Sequence, residues 1–276
     1  MVSITPSPEP LPQLRKEMIK KMMEQGRRID GRGLMDFRNL NVKIGEIKTA
    51  DGSSMVSLGN TKVIAGIKLE IGQPFKDTPN EGALIVNLEM PPIASPTIEP
   101  GPPNEEAIEI ARVVDRTIRH SGFLDLKSLA ITPGKYVWIL WIDLYVLNHD
   151  GNLIDASTIA AISALISTKI PKVEITESEV KIIKEEKYEL KLDLEKLPLT
   201  FTYIKIGNSL ILDPILEEEK ISDGRYTIGI AGDRVVSIQK ASGIFTIDDV
   251  KTILNNSLSL YKVLKEYLIN NVFRAS

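Results

Sequence analysis

Residues 136–155 read Tyr-Val-Trp-Ile-Leu-Trp-Ile-Asp-Leu-Tyr-Val-Leu-Asn-His-Asp-Gly-Asn-Leu-Ile-Asp, and the fold follows from them. The run from Tyr136 to Leu147 is almost entirely β-branched, aromatic or leucine, which predicts a central strand buried on both faces. Asp143 interrupts it, and it falls well short of the ~20 apolar residues that span a bilayer. Asn148 to Asn152 is a dense turn signal. Asp155 is then the expected N-cap of a helix reaching Ile166. Its small residues let it lie close against a sheet.

A strand, a tight turn and a helix start make a natural anion cradle, because free backbone N–H groups and the helix dipole point into the turn. A working phosphate site adds hydroxyls or a cation. This turn offers Leu153, Ile154 and Asp155: two side chains that donate nothing and a carboxylate that repels an anion. The site has the outline of a phosphate site without its chemistry, and a lone Asp at a helix start is more often only a cap.

Working outward, 276 residues suffice for one large domain or two small ones. A net charge of −3 carries no global basic signature, so nucleic-acid binding requires a local patch or a partner. With no cysteine, disulfides and thiolate metal sites are excluded. Two histidines, His120 and His149, leave little for a zinc site or a Ser-His-Asp triad. No metal or cofactor is expected. The N-terminus lacks an apolar signal core, which points to a cytoplasmic protein, and no membrane partner is expected.

Towards the N-terminus, a proline arm over 1–12 leads into a helix over 13–25. Leu14, Met18 and Met22 form its stripe, docking on the chain's own core in preference to a neighbour, with Gly26 as its stop. Arg27, Arg28 and Arg32 flank an Asp-Gly turn as a basic patch or a solvated loop. Residues 40–69 read as a β meander turning at Gly59-Asn60, followed by a strand from Ala83 to Met90. A loop over 91–104 holds six prolines. The next helix, from Glu105 to about Ser121, stripes Ala107, Ile110, Ala111, Val114 and Ile118 on one face. Arg112, Arg116 and Arg119 lie near one another on another. An ion-pair face is the plain alternative, Glu109 with Arg112 and Asp115 with Arg119, at ~0.3–0.5 kcal/mol per pair.

Towards the C-terminus, Lys- and Glu-rich residues 171–198 connect to a second run of strands. These are Leu199–Ile206, Ser209–Asp213, Arg225–Ile230 and Val235–Gln239. Glu217, Glu218 and Glu219 fall in a loop between them, and the acidic run over 213–223 is read as solvated rather than as a Mg²⁺ site. Thr246-Ile-Asp-Asp249 opens a long last helix with a capping-box signature. Strands then a helix, twice, indicate a duplicated α+β unit. The expected organisation is an arm and helix over 1–30, a first half over 31–170, a connector over 171–198 and a second half over 199–276.

Arg28-Ile-Asp-Gly-Arg32, Ala50-Asp-Gly-Ser-Ser54 with Leu58-Gly-Asn-Thr-Lys-Val-Ile-Ala65, Asp150-Gly-Asn-Leu-Ile-Asp-Ala156 and Leu212-Asp-Pro-Ile-Leu-Glu-Glu-Glu219, in this order, resemble the RNase PH family. Within that family, the resemblance is strongest to the non-catalytic RNase PH-like subunit of the archaeal exosome. It implies two β-α-β-α halves and a hexameric ring alternating with a catalytic sister subunit. It also implies 3′-to-5′ RNA degradation with phosphate as nucleophile, and RNA-binding cap proteins. Catalytic relatives carry a hydroxyl residue and an Arg where Leu153 and Ile154 stand, and a late Asp near the place of Arg225. Glu219 and Asp223 are left as an acidic site without its partner. The resemblance further implies that Arg112 and Arg116 meet RNA phosphates beside the sister's active site, with Arg119 a weaker third because Asp115 can neutralise it. Two rival readings stand beside this one. The first is a phosphorolytic exoribonuclease active by itself through Glu219 or Asp223. The second is an unrelated small-molecule enzyme, which would need a GxxxxGK[ST] loop that the sequence lacks.

Overall fold

The computed structural model describes residues 13–175 and 180–274; the proline arm over 1–12 lies outside them. The elements are α1 (Gln13–Glu24), β1 (Leu40–Ile44), β2 (Gly52–Leu58), β3 (Thr61–Gly72), β4 (Ala83–Glu89), α2 (Glu105–Ser121), β5 (Ala130–Thr132), β6 (Tyr136–Asn148) and α3 (Leu153–Ile166). They continue as β7 (Lys169–Ile175), β8 (Val180–Glu189), β9 (Pro198–Ile206), β10 (Ser209–Leu212), α4 (Leu216–Ile221), β11 (Gly224–Ala231), β12 (Arg234–Lys240) and α5 (Ile247–Leu268).

The first sheet runs β1-β2-β3-β6-β4, with β4 parallel to β6 and the crossover made by α2. The second runs β10-β9-β11-β12 and is antiparallel throughout. Helices α2 and α3 fill the space between the sheets, and α5 covers the far side of the second one. One continuous core joins both halves. The two β-α-β-α units of an RNase PH-like fold are therefore present, and β7 and β8 form a hairpin between them.

α3 is buried all round from Leu153 to Leu165. Its small residues bring it onto β2, where Ser54 Oγ donates to the Ala160 carbonyl at 2.7 Å. A Cβ on Gly52 would stand 2.6 Å from the Ala164 carbonyl oxygen, so only glycine admits this approach.

Three expectations change. β6 is buried mainly on one face: Trp138, Leu140, Ile142, Leu144 and Val146 belong to the core between sheet and helices, while on the other face only Val137, near the strand's start, is buried and Tyr145 is exposed. The strand buried on both faces is β9, whose Thr200 and Thr202 face α3 while Tyr203 meets Ser257 of α5. α1 does dock on its own chain, but turned by one residue. Ile19 and Met23 bury against Ile204, Ile206, Ile211 and Ile221, and Leu14 and Met18 stay exposed. Arg15 shares the Ile19–Met23 stripe and donates from Nε and Nη2 to the Glu217 carboxylate at 2.8–3.0 Å, in keeping with this rotation. Two such buried side chains contribute about 1.5–3 kcal/mol each, enough to hold a short helix in place.

The third change is the acidic run. Glu217 to Glu219 belong to the short helix α4, not to a loop. Asp213 and Glu218 are fully buried, and arginines bind both. Arg28 pairs with Glu218 and donates to the carbonyls of Leu212 and Asp213 at 2.8 and 2.9 Å, so Arg28 belongs to neither a basic patch nor a solvated loop, while Arg27 stays exposed. Arg32 and Arg38 both reach the Asp213 carboxylate, and Arg38 also binds the carbonyls of Asp150, Gly151 and Pro214. These bonds tie the turn after β6 to the segment that opens α4. Gly151 (φ +82°) leaves no room for a side chain there, since a Cβ would lie 2.5 Å from the backbone of Ile215 and Leu216.

Candidate functional site

The turn after β6, α4 and β11 come together on one side of a cleft whose other wall is the proline loop over 91–104. Ser95, Asn104, Glu106, His149, Glu219 and Arg225 line it. Each predicted residue can be placed against this cleft.

Leu153 and Ile154 are 3% and 2% exposed and are core residues. Asp155 is not the cap. Asn152, in a left-handed conformation (φ 52°), occupies the N-cap position, and Asp155 lies inside the first turn, fully buried. Its carboxylate accepts from Asn152 Nδ2 (2.8 Å), Thr202 N (2.9 Å) and Thr202 Oγ1 (2.9 Å), so it joins α3 to β9. Burial pushes its pKa up to about 7, against the lowering effect of these bonds.

The free N–H of Asn152 at the start of α3 is where an anion would sit. It donates to Glu219 Oε1 at 2.9 Å, so the chain's own carboxylate takes that place. Loss of hydration raises the Glu219 carboxyl to about 7, although the Asn152 bond and the nearby Arg225 charge favour ionisation. Asp223 is elsewhere, exposed, and accepts from Gly207 N at the β9–β10 turn at 2.7 Å. Glu219 and Arg225 therefore share the cleft and Asp223 does not. Among the described residues no group of His, Asp or Glu is arranged to hold a metal ion.

The raised Glu219 carboxyl gives a signed prediction. A carboxyl that holds its proton more tightly in the folded state adds stability that is fully present below its unfolded pKa, near 4.5, and lost as pH rises through about 7. Glu219→Gln keeps an acceptor for Asn152 N and removes the titration. We expect the variant to gain in Tm on wild type as pH is raised from 4.5 to 8. A pH-independent difference between the two melts would refute it.

The α2 arginines sit beside the cleft. Arg119 is neutralised as expected, its Nη2 lying 2.6 Å from Asp115 Oδ1, and it also donates to the Leu84 carbonyl at 2.8 Å. Glu109 does not pair with Arg112. It reaches across to β11 and accepts from Arg225 Nη2 at 2.7 Å. Arg116 is exposed and held by neutral acceptors only, the Arg112 carbonyl (3.3 Å) and Gln239 Oε1 (2.8 Å). Arg112 is exposed and makes no side-chain bond or ion pair among the described residues. The helix thus shows two unneutralised guanidinium groups one turn apart. They border a shallow groove along the open edge of β4, lined by Leu84, Ile85 and Val86. Sequence reading missed Gln239 and Arg38 and gave Glu109 the wrong partner, because their roles depend on segments distant in the chain.

Comparison with known proteins is consistent with this architecture. The model of the 3′ exoribonuclease family, domain 1, matches residues 36–171, and that of domain 2 matches residues 196–259. The chain is 48% identical over 246 residues to the exosome complex component Rrp42 of Pyrobaculum aerophilum, covering 89% of each chain. It is 45% identical over 271 residues to that of Thermococcus kodakarensis, covering 97% of this chain and 98% of the relative. Among solved structures, a chain of the Archaeoglobus fulgidus exosome with RNA bound to the active site superposes with a TM-score of 0.84 at 39% identity. That match covers 92% of this chain and 98% of the other. A chain of an archaeal exosome core gives 0.81 at 36%, covering 93% and 97%. No described helix is long and apolar enough to cross a membrane. With both domain models matched in order and these identities spanning nearly the whole chain, the protein belongs to the RNase PH-type 3′ exoribonuclease family.

Proposed function

We propose that this chain is a non-catalytic ring subunit of an archaeal exosome, acting in the cytoplasm. It structures a hexamer of three heterodimers with a catalytic sister subunit and lends Arg112 and Arg116 to RNA held at the sister's active site. RNA-binding cap proteins complete the assembly. The observation that carries this reading is a contrast between neighbouring surfaces: the anion seat at the α3 N-terminus is filled by Glu219, while Arg112 and Arg116 on the α2 groove have no carboxylate partner among the described residues.

An attacking phosphate needs donors on that seat. The side chains of Leu153 and Ile154 supply none, and Glu219 already occupies the Asn152 N–H. Phosphoryl transfer depends mainly on positioning and charge stabilisation. Loss of one preorganised donor typically costs ~10²–10³ in rate, and here several are missing. The arginines can still bind. A planar guanidinium matches phosphate oxygens two at a time, and a local positive face suits RNA even on a net-acidic chain. We divide the chain as an arm and helix over 1–30, halves over 31–170 and 199–276, and the β7–β8 connector between them.

Phosphate-dependent trimming of a 3′-labelled RNA tests the reading. The chain alone is expected to be silent, and the chain with a catalytic RNase PH-like partner active. Trimming by the chain alone, with release of nucleoside diphosphates, would establish the rival reading of an enzyme in its own right and place its acid at Glu219, whose raised pKa suits that role.

A further inference from the structure

Glu109 lies one turn before Arg112 on α2, where a carboxylate at i to i+3 would ordinarily pair with the arginine. Such a pair would weaken Arg112 as an RNA ligand, because a guanidinium held by an internal carboxylate has less to offer a phosphate. Two residues of the second sheet prevent it. Arg225 Nη2 on β11 donates to Glu109 Oε2 at 2.7 Å, and Gln239 Nε2 on β12 donates to Glu109 Oε1 at 2.9 Å. Both oxygens of Glu109 are thereby engaged away from the exposed face of α2.

Gln239 has a second part. Its other amide atom, Oε1, accepts from Arg116 Nη2 at 2.8 Å. The contacts on both sides fix which way the amide points: donor towards the acid, acceptor towards the arginine. A neutral side chain therefore stands between Glu109 and Arg116 and orients the guanidinium without neutralising it. The Arg116 Nε–H to the Arg112 carbonyl is a second neutral anchor. Arg119, by contrast, meets a carboxylate directly.

We propose that Arg225, Glu109 and Gln239 form a positioning clamp that draws Glu109, the carboxylate one turn before Arg112, away from Arg112 and Arg116 and, with Asp115 already held by Arg119, leaves both cations to RNA phosphate. The proposal rests on the reading of Arg112 and Arg116 as RNA contacts. It gives Arg225 a task of its own, at the place where the family resemblance implies an Asp in catalytic relatives. It also explains why three arginines on one helix are not equivalent: the second sheet keeps two of them available, and Asp115 neutralises the third.

The test uses the ring assembled with a catalytic sister subunit and measures KM and kcat for a single-stranded RNA. Arg225→Ala releases Glu109 towards Arg112 and Arg116. It should raise KM about three- to tenfold at low salt, with kcat at saturating RNA within about twofold of wild type. The shift should shrink at high salt, as a screened charge effect does. Arg225→Ala combined with Glu109→Gln should return KM to the value of Glu109→Gln alone, since residue 109 then carries no charge to compete. Gln239→Glu, which places a carboxylate against Arg116, should raise KM without touching Arg225 and serves as the second variant should Arg225→Ala assemble poorly. Arg112→Ala with Arg116→Ala is the control that separates two failures. If the control raises KM while Arg225→Ala and Gln239→Glu do not, the clamp is wrong and the RNA contacts stand. A double variant as weak as Arg225→Ala alone also overturns the clamp, by showing a structural loss in place of a competing charge. If the control itself leaves KM unchanged, the RNA-contact reading falls and the clamp falls with it.

Discussion

Reversing Arg112 and Arg116 to Glu is expected to lower RNA degradation by the assembled ring at least about a hundredfold at subsaturating RNA. A hydrogen bond to a charged group contributes about 1.5–3 kcal/mol, and each ~1.4 kcal/mol is a factor of ten. Losing two such contacts and gaining two negative charges near the phosphates exceeds that threshold. Fold and assembly should survive, because both side chains are exposed and the only side-chain hydrogen-bond partner among the described residues that either loses is Gln239. Exposed substitutions of this kind stay within about 0.5 kcal/mol. The log–log salt dependence of RNA binding should flatten by roughly one per lost phosphate contact. Arg119→Ala should behave differently, with a small effect on RNA because Asp115 already holds its charge, and a larger one on stability because it binds the Leu84 carbonyl. Full activity of a ring carrying both reversals would remove the RNA role from α2 altogether.

The parts of this molecule legible in its sequence are those encoded locally. The hairpin at Gly59-Asn60, the last helix with its Thr246–Asp249 capping box and the arginine spacing on α2 all follow from periods and turn chemistry. β9 shows where that reading stops. Its alternating Thr and aromatic residues look like a strand with one wet face, yet Thr200 bonds Thr158, and Thr202 bonds Asp155 and lies 3.0 Å from Thr227 Oγ1. The polar face is buried because another element satisfies it, which no period within the strand can reveal. The pairing of Glu109 was misjudged for the same reason. Its sequence neighbour Arg112 is available, but Arg225, from a strand more than a hundred positions away, has the better geometry. The acidic run over 213–223 looked solvated because charge runs usually are, and the arginines that bury it lie near residues 28–38. Only the family resemblance, which compares whole patterns, reached across such distances.

Asp213→Asn is expected to destabilise the folded chain by about 3–5 kcal/mol, the usual cost of leaving a buried charge without its partner. For a chain of this size that corresponds to a Tm lower by roughly 10 °C. The Asp213 carboxylate accepts from Arg32 Nη1 (3.0 Å), Arg38 N (2.8 Å), Nε (2.9 Å) and Nη2 (2.8 Å), and Asn152 Nδ2 (2.6 Å), all while fully buried. Asn is the informative replacement. Asp213 sits at φ 49°, a conformation Asn tolerates, so shape and backbone are preserved and only the charge is removed. The amide cannot accept five bonds, and Arg38 is left buried without an anion. Arg38→Met should cost less in this background than in wild type, because the charge that lost its partner is gone and only the bonds to the carbonyls are lost; the two changes should be strongly non-additive. Denaturant unfolding of the single and double variants measures this directly, and additive losses would show that Arg38 and Asp213 contribute independently. The result bears on function as well as stability. Arg38 holds the carbonyls of Asp150, Gly151 and Pro214 together, and Glu219 reaches the Asn152 N–H only because α4 starts at that junction. Loosening the junction would withdraw Glu219 from the anion seat. The rate at which the Asn152 amide hydrogen exchanges should therefore rise in Asp213→Asn before global unfolding begins.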